Sequence, residues 1–277
     1  MSERRACKVL GHSRSVHRYR SKRPVLDRDL AERLHEIALA KPRRGYRYAW
    51  DQLRRQGAPT NVKRVHRLWK LSGLQVPKKT RKRRRITNPG ENSTTRLAPA
   101  YRNHIWCYDF IFDATENGRP IKILPVLDEY TRECLALVAG RSLTSRHLVD
   151  VLDGLIEDRG APMYIRSDNG SEFIAGRVKA HLSSVQSETR HVDPGAPWQN
   201  SYAESFNSRL RDELLTQEIF CSVPEAQALL EIWRREYNHD RGHSSLGYLS
   251  PSEFAASLEE HALQPLQTPN PHASVLT

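Results

Sequence analysis

The stretch HIWCYDFIF, residues 104–112, is apolar almost throughout but carries Asp109 near its centre. A short run so rich in aromatic and β-branched residues reads as a buried strand. An acid inside such a strand is costly to bury without a partner. Two further apolar runs follow, IKILPVLDEY (121–130) and CLALVA (134–139). The segments between them, DATENGRP and TRE, are short enough for hairpins. LTSRHLVDVLDGLIEDRG comes next as a helix, with Leu148, Val151 or Leu152, Leu155 and Ile156 on its apolar face and Gly160 to stop it. Then come a strand (MYIRS), a helix near AGRVKAHLSSVQ and a strand near TRHV. A long helix runs from near Asn200 past Leu214, and PEAQALLEIWRREYNHD makes another. Hairpin-linked strands followed by alternating strand and helix predict an α/β fold with a mixed five-stranded sheet flanked by helices.

A strongly basic region precedes this core. Residues 1–100 carry 28 Lys and Arg against 7 Asp and Glu, whereas residues 101–277 carry 16 against 25. That asymmetry points to nucleic-acid binding ahead of a catalytic or protein-contacting domain. An unevenly charged surface is the plainer alternative. ERRACKVLGHSRSVHRYR reads as a short helix, a turn and a second basic helix. LDRDLAERLHEIALA places Leu26, Leu30, Leu34, Ile37 and Leu39 near helical spacing. YRYAWDQLRRQG ends at Gly57, a C-cap residue. TNVKRVHRLWKLSGL opens with a Thr/Asn cap and repeats apolar residues at Val62, Val65, Leu68 or Trp69, and Leu71 or Leu74. The two helices joined by GAPT form a helix-turn-helix pattern, and the second presents Lys63, Arg64, Arg67 and Lys70. Such a helix suits DNA phosphates, and it equally suits the solvated face of an ordinary bundle.

PKKTRKRRR follows, with Lys78, Lys79, Arg81, Lys82, Arg83, Arg84 and Arg85 filling seven of the eight positions 78–85. Like charges repel and nothing is buried, so this is a linker by composition. It is either a strap along a DNA backbone or a solvated spacer. The four cysteines, Cys7, Cys107, Cys134 and Cys221, lie far apart without a C-x-x-C pair, which argues against a disulfide framework and a cysteine zinc site. No apolar run approaches the roughly 20 residues of a membrane helix. The N-terminus has no signal-peptide apolar core, so the expected location is cytoplasmic.

Three acids occupy comparable places in the predicted core: Asp109 inside the first strand, Asp168 at the end of the fourth, and Glu204 one turn into the long helix. Thirty-five residues separate Asp168 from Glu204. Carboxylates brought together from strand centre, strand end and a neighbouring helix suit Mg²⁺, a hard ion that takes oxygen ligands. Each acid also has an ordinary reading: a strand-edge charge, a turn former in Asp168-Asn169-Gly170, and a solvated helix residue. Asp113 shares the strand face of Asp109, Asp128 ends the second strand where it shapes the turn, and Glu172 lies four residues past Asp168. Along the long helix, Asn200, Glu204, Ser208 (or Asn207) and Arg211 make one polar stripe, opposite Tyr202, Phe206 and Leu210.

IWCYDF, RSDNGSEF and PGAPWQNSYAESFNSRLRDEL together resemble the Asp-Asp-Glu signature of integrase-like transposases, most closely the second-frame product of the IS-three group of bacterial insertion sequences. VLDEYTRE and YNHDRGHSSLGYLSP are similar to that group's motifs, the latter through Tyr237, Asn238, Arg241, His243, Leu246, Gly247 and Pro251. The resemblance spans roughly residues 2–256. It implies a ribonuclease H-like core, with Asp109, Asp168 and Glu204 binding two Mg²⁺ or Mn²⁺ ions. It implies that Arg211, seven positions after the Glu, meets the DNA end, and Asn200 is expected beside it on that face. It implies double-stranded DNA as partner, both transposon terminal inverted repeats and target, with a homo-oligomer assembled on it, and an upstream-frame protein as fusion or partner. The reaction implied is 3′-end cleavage followed by strand transfer. A bacterial, nucleoid-associated location follows, with no membrane.

The expected organisation is a helical DNA-binding region over 1–76, a basic linker over 77–100, the catalytic core over 101–262 and a disordered tail over 263–277. A non-catalytic regulator that binds transposon ends, or a simple nuclease of the same fold, would share many of these features.

Overall fold

The computed structural model describes residues 1–20, 23–76, 97–167, 175–191 and 200–263. The basic run 78–85, Asp168 and the segment 264–277 lie outside the described residues. The chain divides into two compact units, Met1–Thr80 and Arg81–Thr277.

The first unit contains α1 (Glu3–Val9), α2 (Arg14–Arg18), α3 (Arg23–Ala40), α4 (Tyr46–Arg55) and α5 (Val62–Leu71). Its core is Leu34, Ala49, Leu53, Val65, Leu68 and Trp69. The periodic reading of α3 needs correction at its ends: Leu26 and Leu39 are exposed, and Leu71 of α5 is exposed too. A helix of 18 residues outruns the smaller partners it packs on, so apolar residues at its ends have nothing to cover them. Gly57, at φ +72°, ends α4 in a Schellman turn. The Ala58 N–H donates to the Leu53 carbonyl at 2.9 Å and the Gly57 N–H to that of Arg54 at 3.1 Å. Asn61 caps α5, its side chain accepting the Lys63 N–H at 2.8 Å.

The second unit is built on a mixed sheet: β1 (Ile105–Tyr108), β2 (Ile111–Ala114), β3 (Pro120–Asp128), β4 (Cys134–Gly140), β5 (Tyr164–Ser167) and β6 (Glu188–His191). β4, β3 and β1 are antiparallel, and β1, β5 and β6 are parallel. β2 pairs with the same edge of β3 as β1 and in the same register, for Tyr108 faces Val126 and Ile111 faces Ile123. The expected first strand is therefore one strand interrupted at Asp109-Phe110.

Pro125 accounts for the interruption. The Glu129 N–H donates to the Ile105 carbonyl at 3.0 Å, so the odd-numbered amides of β3 point toward β1 and β2. Continuing the register sets Pro125 opposite Asp109. Proline has no N–H to give there. A proline in a central strand normally argues against that strand, and here it coincides with the break in its pairing to β1 and β2.

Alternation sends successive side chains to opposite faces. Cys107 and Ile111 join one core cluster with Ile123, Leu127, Phe206, Leu210, Trp233 and Tyr237. That face is covered by α8 (Ser201–Leu210) and α9 (Val223–His239). Trp106, Tyr108 and Ile165 join the other cluster with Leu148, Leu152, Val178 and Leu182 of α6 (Ser145–Arg159) and α7 (Gly176–Ser184). The sheet is thus flanked by helices on both faces. Beyond α8 the chain makes a π-helical turn, Arg211–Leu215, and after α9 a 3₁₀ turn, Ser244–Leu246, leads to α10 (Pro251–Leu263). No described helix is long and apolar enough to cross a membrane.

One buried ion pair ties the sheet centre. Arg166 of β5 donates to both carboxylate oxygens of Glu129, at 2.6 and 2.7 Å, and to the Leu97 carbonyl at 3.0 Å. Both residues are buried. Removing one partner strands the other charge. Arg166→Ala is expected to cost about 3–5 kcal/mol in urea denaturation, and Arg166→Leu combined with Glu129→Leu to recover most of it.

Candidate active site

The interruption between β1 and β2 leaves Asp109 half-buried on the sheet face that α8 covers, between Cys107 and Ile111. A carboxylate there needs a polar neighbour, and α8 supplies one. The Asn207 side-chain amide donates to Asp109 Oδ2 at 2.9 Å. Asn207 is buried, and its Oδ1 makes no hydrogen bond among the described residues.

The roll of α8 that aims Asn207 is fixed by aromatic packing. Phe206 meets Trp233 edge to face at 5.4 Å and Tyr237 at 5.0 Å between ring centres. Ala203, Phe206 and Leu210 form the buried stripe. Glu204 lies in the first turn of α8, exposed, three residues before Asn207. Residues three apart on a helix are neighbours on its surface. Glu204 therefore stands on the flank of α8 that carries the contact to Asp109.

The sequence stripe divides in the structure. Asn200, 5% exposed, sits at the N-cap of α8 without capping through its side chain, and its Oδ1 has no partner among the described residues. Ser208 is exposed, and Arg211 is exposed at the first residue of the π-helical turn. Asn207, offered by the sequence only as an alternative to Ser208, is the member that reaches Asp109. Asp168 and Glu172 lie outside the described residues, and β5 stops at Ser167, the residue before Asp168. The parallel pairing of β5 with β1 sets Arg166 opposite Cys107.

The competing acids have structural work. Asp113 turns Oδ1 to the Ala114 N–H at 2.8 Å. Asp128 is fully buried and accepts the Asn103 and Tyr130 N–H groups, both at 2.8 Å. Burial pushes its carboxyl above the usual carboxylate range, and the two backbone donors act against that shift. Among the described residues no three His, Cys, Asp or Glu side chains cluster as metal ligands. Asp109 and Glu204 bring carboxylate oxygens, the donor type Mg²⁺ and Mn²⁺ take, and the two thiols on this face, Cys107 and Cys134, are buried in the core.

On the helical unit, Lys63 and Lys70 are exposed. Arg64 and Arg67 are committed differently: both bond Asp27 at the start of α3, and Arg64 also donates to the Leu26 carbonyl at 2.8 Å. Their side chains are 41% and 38% exposed, so each can meet a phosphate only by sharing or leaving Asp27. Lys78, Lys79 and Arg81 to Arg85 lie outside the described residues.

Arg67 first, and Arg64 with it, hold the Asp27 carboxyl below the usual carboxylate range, against a smaller opposing effect of burial. A depressed folded-state pKa gives stability that is present above the unfolded value of about 3.9 and lost as pH falls through the folded value. Asp27→Asn should destabilise the helical unit by about 1–2 kcal/mol at neutral pH, reduced from the buried-pair figure by the exposure of both arginines. As the pH falls below 4, wild type and variant should converge. Hydrogen exchange of the α5 amides reads both effects, and equal protection at pH 7 would exclude them.

Known families match both parts of the chain. The family described as HTH-like domain matches residues 26–84, and two families described as Integrase core domain match residues 99–197 and 185–251. A 31.7 kDa protein of insertion element IS407 from Burkholderia multivorans is 38% identical over 256 residues, covering 92% of this chain and 91% of that one. Transposase InsD of insertion element IS2 from Escherichia coli is 30% identical over 250 residues, covering 85% of this chain and 81% of that one. A solved intasome of simian T-cell lymphotropic virus, in complex with a PP2A regulatory subunit, aligns with a TM-score of 0.49 at 18% identity, over 63% of this chain and 59% of that chain.

Proposed function

Since the chain belongs to the insertion-sequence transposases of the IS-three group, with an integrase core, we propose that Asp109, Asp168 and Glu204 form its catalytic site for metal-dependent 3′-end cleavage and strand transfer. The observation that carries this reading is the hydrogen bond from Asn207 to Asp109, at 2.9 Å. It ties the helix of Glu204 to the interrupted strand. Asp168 follows directly on β5, the neighbour of β1 in the sheet.

The three carboxylates would hold two Mg²⁺ or Mn²⁺ ions. When bound, such a pair activates the attacking oxygen and neutralises charge on the leaving one. In the first step water attacks the phosphodiester at a transposon end and the 3′-oxygen leaves as a free 3′-OH. In the second that 3′-OH attacks a phosphodiester of target DNA, joining the two and releasing one target strand end. Bonds broken and formed balance in each step, and the chain forms no covalent intermediate.

The protein's own contribution is position. Asn207 fixes one Asp109 oxygen, so the other points predictably. Arg211, exposed seven residues after Glu204, meets a phosphate of the transposon end. Lys63 and the basic run Lys78 to Arg85 track the DNA backbone ahead of the core, with the helical region 1–76 as the DNA-binding part and 77–100 as the linker. Joining two DNA ends calls for more than one copy of the chain on the DNA, with or without an upstream-frame partner.

Labelled transposon-end DNA incubated with protein and Mg²⁺ should show 3′-end nicking and joining, lost on chelation while DNA binding persists. Asp109→Asn, Asp168→Asn and Glu204→Gln should each reduce both steps by about a thousandfold or more, as expected from losing several kcal/mol of charge stabilisation. Asn207→Ala, which acts through Asp109, should cost about 10- to 100-fold. Cleavage without joining would make the protein a nuclease, and binding without either a regulator.

Neutralising the seven basic residues of 78–85 should weaken binding to all DNA sequences alike. It should also flatten the salt dependence by about 0.9 in slope for each phosphate that is no longer neutralised. An unchanged slope would make the run a spacer.

A further inference from the structure

α8 has a second polar flank. Tyr202, Ser205 and Arg209 turn away from Asp109 into a cleft shared with Arg132, Tyr237, His243 and the Ser244-Ser245 pair. These residues come from the β3–β4 turn, α8, α9 and the loop after it, and all belong to the second unit. Nothing in the proposed reaction uses them.

The cleft holds an unexplained polar atom. His243 is 5% exposed, yet its Nε2 has no hydrogen-bond partner among the described residues. A buried polar atom left without a partner is costly and calls for an explanation. The ring is not loose. The ring stands edge to face on Tyr237 at 4.9 Å, and the backbone N–H of His243 donates to the Leu249 carbonyl at 2.9 Å.

The surroundings are cationic. Burial, then Arg209, Arg241 and Arg132, push the His243 imidazole down to about 3, so it is neutral at physiological pH. Arg241 is bonded to Glu213. Arg132 lies over the Tyr202 ring, 3.4 Å from its centre, with its backbone in the left-handed region at φ +66°. A non-glycine residue stays there only when its surroundings hold it, and the Arg132 N–H to the Asp128 carbonyl at 2.9 Å is one such hold. Arg209 makes no hydrogen bond or ion pair among the described residues. The carboxylate in the lining, Asp128, spends both oxygens on backbone N–H groups.

Resting on the transposase reading for the source of the ligand, we propose that this cleft seats a single phosphate of a DNA strand, held by the guanidiniums of Arg132 and Arg209 and by the Nε2–H of His243. Guanidinium groups suit phosphate oxygens in geometry as well as charge. A neutral imidazole with its proton on Nε2 donates to the same group and resolves the orphaned atom. DNA is favoured over free phosphate by placement. Glu204 and Ser205 are adjacent on α8 but open to different flanks. A helix with its side chains is about 10–12 Å wide, so a strand crossing α8 from the carboxylate flank reaches the cleft within about three or four nucleotides at roughly 3.4 Å each. The cleft would thus grip the strand a fixed distance from the bond being cut.

The test uses the full chain and a transposon-end duplex in which single phosphates are replaced, one position at a time, by neutral methylphosphonate. In wild type one position near the cleavage site should weaken binding about tenfold. In Arg209→Gln that position should no longer matter, while Arg209→Lys restores part of the dependence. Nitrogen-15 NMR of His243 should show an Nε2–H signal that moves with the unmodified duplex and not with the duplex neutralised at that position. The proposal is overturned if Arg209→Gln keeps the full positional penalty, or if the His243 signal ignores DNA. It is overturned as a DNA site if inorganic phosphate at low millimolar concentration moves the signal as far as the duplex does. Failure of the transposase reading would appear separately, as absent cleavage by wild type with Mg²⁺.

Discussion

A missing amide hydrogen governs the carboxylate-bearing face of this protein. Pro125 stands in the middle of a central strand with its nitrogen turned toward β1 and β2, opposite Asp109. The ladder cannot close there, yet the register on either side is unbroken. The strand can therefore carry an acid at its centre without the tight pairing that would bury it. Everything placed near that acid follows: β5 alongside in parallel, and α8 across the face. The apolar stripe of α8 then fixes which polar residue meets it. Phe206 packs edge to face on the stacked pair Trp233 and Tyr237, and that packing turns Asn207 to Asp109. The buried Arg166–Glu129 pair holds the same sheet together from within, linking β5 to the end of β3 across β1. Such a pair is weak evidence for stability against an apolar alternative. Separating the two groups would strand a buried charge, so the pair disfavours arrangements of these three strands that part them.

Much of this is legible in the sequence. Continuous apolar runs announce β1, β3, β4 and β5, because burial on both faces leaves little else to choose from. Gly57 and Gly160 mark helix ends since glycine adopts the left-handed backbone there, φ +72° and +80°, without the strain a side chain would bring. The carboxylates stand out because charges in apolar context are rare. Other features depend on phase and distance, which a linear pattern blurs. Asn207 and Ser208 fit a polar stripe equally well until the core decides the roll of the helix. α10 does not announce itself as a separate helix, for PSEFAASLEEHAL follows the motif without a strong stripe of its own. Arg64 and Arg67 look like free DNA contacts, and only the fold brings Asp27, 37 and 40 positions away, between them.

The two flanks of α8 show how one helix can serve separate tasks. One flank presents Glu204 and Asn207 toward the interrupted strand, and the other presents Ser205 and Arg209 toward a cleft built from the β3–β4 turn and the segment after α9. The core stripe between them sets both at once. The motif residues Tyr237, Arg241 and His243 thereby find a place that sequence similarity alone could not supply. Tyr237 backs both Phe206 and His243, and Arg241 binds Glu213 at the end of the same helical run.

The π-helical turn Arg211–Leu215 has a consequence of its own. A π turn accommodates one residue more than an α turn, so it acts as a splice that resets the angular count of the helix by about one residue, near 100°. Up to Leu210 the count serves the acid-bearing face. Past the splice it serves a different neighbour, bringing Glu213 to Arg241 and burying Leu214. These same residues wound with a single uninterrupted count could not satisfy both. Arg211 sits at the joint, the last residue whose direction is set by the first count and the first that the second can pull. A one-residue deletion there would keep the composition, charge and apolar content of the helix almost intact. It would take out the one residue that the π turn absorbs, so an unbroken α-helical count would then bring both halves to the faces they now serve.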